Sequence, residues 1–314
     1  MRREDIEFDA EGVTLRGWLY RPDAADPDHP VPGIVMAHGF SAVKEMGSDR
    51  YAEVFAAANL AVLTYDNRNF GASDGRPRQE IDPWAQAQDY RHAITWLQQQ
   101  AGIDPDRIGI WGTSLSGGHV LVVAAIDRRV KCAVAQVPFI SGHETLVRRM
   151  SGARLARLRE RFDADRRARF RGEPPAMIPV VTTEPEGDAA SPSREAWDWF
   201  TRTAREHAPA WQNAVTLRSL EMFGEYEPGT YIGWISPTPL LMIVATRDQS
   251  VPTDVALRAF QQALPPKRLV LLEGSHFDAY DRLFETTSAA ARDWFVRYLA
   301  DRSHADGAHA ISDS

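Results

Sequence analysis

Four short, near-continuous apolar runs, Gly33–Ala37, Ala61–Tyr65, Arg107–Trp111 and Val130–Val137, alternate with the helical stretches Asp49–Asn59, Pro83–Gln100 and Gly117–Ile126. Strands this apolar are covered on both faces, and strands separated by helices run parallel, so the rhythm predicts a parallel sheet layered between helices. Ahead of it, Ile6–Phe8 and Val13–Tyr20 alternate around Glu11-Gly12 as an antiparallel hairpin, and the Pro- and Asp-rich stretch Arg21–Pro32 is a loop. The rhythm stops near Ser141 and resumes at Pro239 with Leu240–Ala245, Val255–Ala263, Leu269–Leu272 and Ser288–Ala300. The chain therefore divides into a core, residues 1–140 and 236–300, and an insertion, residues 141–235. Within the insertion, His143–Arg171 reads as an Arg-rich helical stretch and Pro174–Pro192 as a Pro-broken loop, followed by helices rich in aromatics. The polar tail, residues 301–314, is expected to be disordered.

The third apolar run leads into Gly112-Thr-Ser114-Leu-Ser116-Gly-Gly118, and a helix opens at once. A tight turn between strand and helix exposes a serine hydroxyl and aims the positive end of the helix at a developing oxyanion. Ser114 is the expected nucleophile; Ser116, which replaces the usual second glycine, is a rival standing on the helix. An acid and a base follow in the chain order this turn requires. Asp248 lies just after Leu240–Ala245 and His276 just after Leu269–Leu272, so adjacent parallel strands would bring both to one sheet edge beside Ser114. His276 would take the hydroxyl proton, and Asp248 would hold its tautomer. Asp248 could instead cap the helix beginning near Thr253, and Asp278 is a rival acid. The oxyanion donors expected are the N–H groups of Leu115, next to the nucleophile, and of Phe40, in the turn His38-Gly39-Phe40 after the third strand. His38 is expected to be structural.

On these landmarks, with Tyr65-Asp-Asn-Arg-Asn-Phe-Gly-Ala-Ser73-Asp between them, the chain resembles the α/β-hydrolase superfamily over its whole length. Trp234-Ile-Ser-Pro-Thr-Pro-Leu and Gly274-Ser-His-Phe-Asp resemble the branch of dienelactone-hydrolase-like enzymes and polyketide transferases. The resemblance implies an eight-stranded, mostly parallel sheet flanked by helices, strand two antiparallel, with a helical cap inserted after strand six. It also implies a serine hydrolase cleaving a carboxylic ester or thioester through an acyl-enzyme, without cofactor. Acyl transfer or carbon–carbon hydrolysis with the same triad, or a ligand receptor that keeps the fold without turnover, stay open as alternatives. Relatives of this fold with an Asp nucleophile, the haloalkane dehalogenases and epoxide hydrolases, are excluded by Ser114.

The insertion supplies more aromatics than a small helical layer needs, and Trp197, Trp211, Phe223, Tyr231 and Trp234 are the expected pocket roof. That suggests an acyl or aromatic substrate of medium size and little charge. Residues 148–171 hold ten arginines against Glu160, Asp163 and Asp165. They form either a solvated face compensated by acidic loops such as 184–188 or a landing strip for an anionic carrier, an acyl-carrier arm or coenzyme A. A net charge of −7 argues against nucleic acid. The lone Cys132 and scattered histidines argue against a metal site. No apolar run is long enough to span a membrane, and Met1-Arg-Arg-Glu-Asp-Ile6 leads into no signal-peptide core, so a cytoplasmic location is expected, with a homo-oligomer compatible.

Overall fold

The computed structural model describes residues 1–184 and 187–300; the expectation for the tail 301–314 lies outside them. Eight strands form one sheet: β1 (Arg2–Asp9), β2 (Thr14–Arg21), β3 (Val31–Ala37), β4 (Ala61–Tyr65), β5 (Ile103–Thr113), β6 (Val130–Gln136), β7 (Leu240–Ala245) and β8 (Lys267–Leu272). Their order is β1-β2-β4-β3-β5-β6-β7-β8. β2 is antiparallel to both neighbours, and every pairing from β4 to β8 is parallel.

β3, β4 and β7 are buried at every position because helices cover both faces. Strand alternation divides the side chains between two cores. Ile34 and Met36 pack with Tyr51 and Phe55 of α1 (Ser48–Ala57) and Phe295 of α9 (Phe284–Phe295). Val35 and Ala37 point the other way, toward Ile94 of α2 (Pro83–Gln98), Val120 of α3 (Leu115–Ile126) and Val255 of α8 (Thr253–Gln262). α2 starts where its sequence dictates: Asp82 accepts from the N–H groups of Trp84 and Ala85, and Pro83 occupies the first helical position.

Between β6 and β7 the insertion forms α4 (Gly142–Arg149), α5 (Gly152–Phe170), α6 (Arg194–His207) and α7 (Leu217–Glu225). The Arg-rich stretch is two helices rather than one, because the Ser151 hydroxyl accepts from Arg154 N–H and starts a second helix. The loop 174–192 carries two short ladders, Met177–Ile178 antiparallel to Val215–Thr216 and Val181–Thr182 parallel to Ser191–Pro192. Trp199, Phe200, Leu217, Leu220 and Phe223 of the insertion share one apolar cluster with Leu115, Phe139 and Phe277, the residues at the carboxyl edge of the sheet. The ends of the segment are stitched together: Gly142 N–H donates to Tyr226 O at 2.9 Å and Gly229 N–H to Ile140 O at 2.9 Å. The turn Pro228–Trp234 then packs on α3 and α8, and Ile232 and Ile235 join the core cluster, so the chain returns to the core at about Pro228. His119 of α3 is buried at this joint, between the Tyr226 hydroxyl (3.0 Å) and Gln86 Oε1 (3.1 Å). Among the described residues no helix is long and apolar enough to cross a membrane.

Candidate active site

Ser114 takes φ 55° and ψ −120°, a conformation few non-glycine residues adopt, at the junction of β5 and α3. The backbone around it holds it there. Ser114 N–H donates to Gln136 O (3.0 Å), and its carbonyl accepts from Gly118 (3.2 Å) and Phe139 (2.9 Å). The turn is so tight that a Cβ on Gly112 would stand 2.2 Å from Ser116 O. Gly39 meets the same limit from the other side, its Cβ position being 3.0 Å from Ser114 Cβ.

The loops after β7 and β8 bring the acid and base to this turn. His276 Nε2 lies 3.1 Å from Ser114 Oγ, and His276 Nδ1 lies 2.7 Å from Asp248 Oδ2. The other carboxylate oxygen of Asp248 accepts from the N–H groups of Ser250 and Val251, each at 2.8 Å, which fixes the acid without occupying the oxygen that faces the imidazole. His276 and Asp248 are buried. The rivals are occupied elsewhere. Ser116 is fully buried and donates to His38 O at 2.5 Å. Asp278 accepts from Ser275 N–H (2.8 Å) and pairs with Arg282 (2.9 Å), which holds its carboxyl below the usual range. Asp248 does not cap α8, whose N-cap position is Pro252.

Among the described residues, the N–H groups of Phe40 and Leu115 have no hydrogen-bond acceptor; Leu115 follows Ser114 directly in the chain, and Phe40 lines the same cavity as Ser114. His38 is structural: its Nε2 accepts from Asn67 N–H (3.0 Å), its Nδ1 faces Gly39 O (3.0 Å), and burial lowers its pKa so that it is neutral. The neighbouring loop is closed by a buried pair, Lys44 Nζ to Asp66 Oδ2 at 2.8 Å.

Ser114 and His276 open into a cavity of about 930 Å³, counting the part open to solvent. Of the five aromatics expected in its roof, only Phe223 lines it. Trp211 lies behind the wall, stacked on Phe200 at 5.3 Å and donating to Ser41 O. Trp197 packs against the apolar cluster without reaching the cavity. Tyr231 and Trp234 fall in the turn that has already rejoined the core, where Tyr231 meets Trp84 and Trp234 is 62% exposed. The roof is instead Trp199, Phe200 and Leu220, and core residues Met46, Tyr51, Trp111, Phe139 and Tyr280 complete the wall. The spacing of Ala196, Trp199, Phe200 and Thr203 on α6 is the signal that distinguishes the inward face from Trp197. Among the described residues, ion pairs engage several arginines of 148–171: Arg148 with Glu144 and Asp254, Arg161 with Asp188, Arg166 with Glu221, Arg169 with Asp165 and Arg171 with Glu173.

A family model described as X-Pro dipeptidyl-peptidase (S15 family) matches residues 11–278. The chain is 36% identical to Thiohydrolase aneE of Aspergillus aculeatus, over 86% of this chain and 84% of that one. It is 30% identical to Polyketide transferase grgF of a Penicillium species, over 95% of this chain and 97% of that one. The crystal structure of the α/β hydrolase GrgF from Penicillium sp. sh18 superposes with a TM-score of 0.82 at 28% identity, covering 96% of this chain and 100% of that one.

Proposed function

The chain belongs to the X-Pro dipeptidyl-peptidase (S15) family and is an α/β hydrolase of ester or thioester bonds; we propose that Ser114 is its nucleophile and that turnover runs through an acyl-enzyme. The observation that carries this reading is the continuous relay from Ser114 Oγ through His276 to Asp248, with contacts of 3.1 and 2.7 Å, at the floor of an apolar cavity. Ser114 Oγ attacks the carbonyl carbon while His276 Nε2 takes the hydroxyl proton. The carbonyl oxygen becomes an oxyanion, which the N–H groups of Phe40 and Leu115 receive. Collapse expels the alcohol or thiol, protonated from His276. A water then attacks the acyl-enzyme with the same imidazole as base and releases the acid.

The family is described by a peptidase, but a thiohydrolase and a polyketide transferase are the relatives named above, so the bond is assigned as ester or thioester. Transfer to an acceptor other than water departs from the same acyl-enzyme, and the likeness to a polyketide transferase favours it as the second reading. The insertion acts as a cap over the site, because its aromatics close the cavity. The substrate is a small acyl compound presented as an ester or as a coenzyme A or carrier thioester, and the reaction belongs in the cytoplasm, which cell fractionation tests. A fluorophosphonate probe tests the central assignment. Covalent labelling mapped to Ser114, with turnover of an ester or thioester panel, supports it, and labelling of any other residue overturns it.

A further inference from the structure

Arg148 and Arg149 end α4 side by side, and in the sequence both read as cations complementing the helix terminus. In the structure they part. Arg148 turns outward to Glu144 and Asp254. Arg149 turns inward and lines the same cavity as Ser114 and His276, where it is the one permanent cation among the described lining residues. Around it the wall is apolar: Leu146, Val180, Leu220 and Phe223.

One terminal nitrogen of the Arg149 guanidinium donates to Ser191 Oγ (2.9 Å) and Ala190 O (3.3 Å). These two contacts leave Nε and the second terminal nitrogen without an acceptor, and no carboxylate lies within ion-pair distance, among the described residues. Burial pulls the guanidinium pKa down from 12.5 to about 10, which leaves it protonated at neutral pH. The side chain is partly buried and feels the Asp248 carboxylate only at a distance, and a partly desolvated charge with no ion-pair partner is stabilised when an anion arrives to pair with it. A guanidinium fork matches a carboxylate in two parallel hydrogen bonds.

We propose that Arg149 receives a carboxylate borne on the acyl part of the substrate, so that the preferred substrates are esters or thioesters of acidic acyl chains, such as half-esters of dicarboxylic acids. This rests on the cavity being the acyl site of the proposed hydrolase, and it replaces the expectation of a substrate with little charge. It also separates two tasks within the cavity. The Ser114 end handles the reacting carbonyl, and Arg149 sets which acyl chain lies in register with it.

The test uses binding, so that it does not depend on turnover. Full-length protein carrying Ser114→Ala is titrated by calorimetry with methyl half-esters of succinic through sebacic acid, and with the corresponding dimethyl esters. At least one half-ester should bind about ten- to a hundredfold more tightly than its neutral counterpart, the scale of a charge-assisted pair. Adding Arg149→Met should erase that ratio while leaving the dimethyl ester unchanged, and Arg149→Lys should restore part of it. The proposal is overturned if no half-ester outbinds its dimethyl ester in the Arg149 protein, a comparison that needs no variant at position 149. It is also overturned if Arg149→Met weakens both ligands alike, or if pantetheine 4′-phosphate binds more tightly than every half-ester. A protein that binds half-esters in this way but hydrolyses no ester or thioester would overturn the proposed reaction and leave Arg149's role standing.

Discussion

The carboxyl edge of the sheet and the inserted segment both face the cavity, but they hold their residues by different means. At the sheet edge the backbone does the positioning: Ser114 is fixed by three main-chain hydrogen bonds and by a glycine with no room for a Cβ, and Asp248 by two N–H groups. In the inserted segment side chains do it. Trp199 stacks on Phe277 at 5.2 Å, Glu195 accepts from Ser275 Oγ, and Arg202 pairs with Asp281. Backbone positioning is all-or-none, whereas a set of side-chain contacts can be weakened one at a time. Damage at the sheet edge should therefore abolish chemistry, and damage in the insertion should grade affinity and stability.

The sharpest break is Ser114→Ala, which should abolish probe labelling and lower turnover by about 10⁶-fold. Ser116→Ala should keep labelling and cost about 1 kcal/mol in denaturant unfolding, since it removes one buried hydrogen bond. Asp248→Asn should keep the fold and lower kcat by up to about 10⁴-fold through the wrong imidazole tautomer. Asp278→Asn, measured beside it, should remain within about twofold of wild type, because Asp278 faces Arg282 and Ser275. Equal losses from the two aspartates would dissolve the distinction.

On the inserted side, Trp199→Ala should lower stability by about 3 kcal/mol, the usual cost of deleting a large buried aromatic. It should raise KM more than it lowers kcat, and probe labelling should persist. Loss of labelling would mean that the segment also positions His276. The joint itself has a pH signature. Burial pulls the His119 imidazole down to about 3, while the unfolded chain takes up a proton near 6.5. Its contribution is therefore complete above pH 6.5 and is lost as pH falls toward 3. Between pH 6.5 and 5.5 this one group should cost on the order of 1 kcal/mol, and His119→Gln should flatten urea-unfolding stability by that amount. The smallest effect is expected on the Arg-rich face. Neutralising Arg157, Arg161 and Arg166 together should change KM for an acyl-coenzyme A by less than about twofold, since two of the three already sit in exposed ion pairs. A larger, salt-sensitive rise in KM would restore the landing strip.

The same contrast explains what the sequence let one read. Strand β5, the turn at Gly112 and the loops after β7 and β8 are visible because backbone geometry demands particular residues in a particular order. Ser114, Asp248 and His276 could be named from that order alone, and the structure places the three side by side. No such demand acts on the insertion. Tyr231 and Trp234 were indistinguishable by composition from Phe223, yet the first two lie on a turn that has left the cavity. Arg149 was one arginine among ten; the break at Met150-Ser151 leaves it on α4 with Arg148, and only its place one residue further round that helix turns it to the cavity. Residues of the wall such as Met46 and Tyr280 come from segments with no periodicity to mark which way they point.

The stitched ends of the segment have a consequence for ancestry and engineering. Ile140 and Gly229, and Gly142 and Tyr226, meet through main-chain atoms, so the joint does not depend on what lies between. A loop whose ends are already closed pays little more entropy when it lengthens, because each doubling costs only about 0.6 kcal/mol. The core can thus host replacement segments of different length and composition at one socket without refitting its reactive turn. New substrate ranges would then arise by exchanging the stretch from Gly142 to Tyr226 as a cassette, with Gly229 and Ile140 left as the fixed socket on which each new cassette is seated.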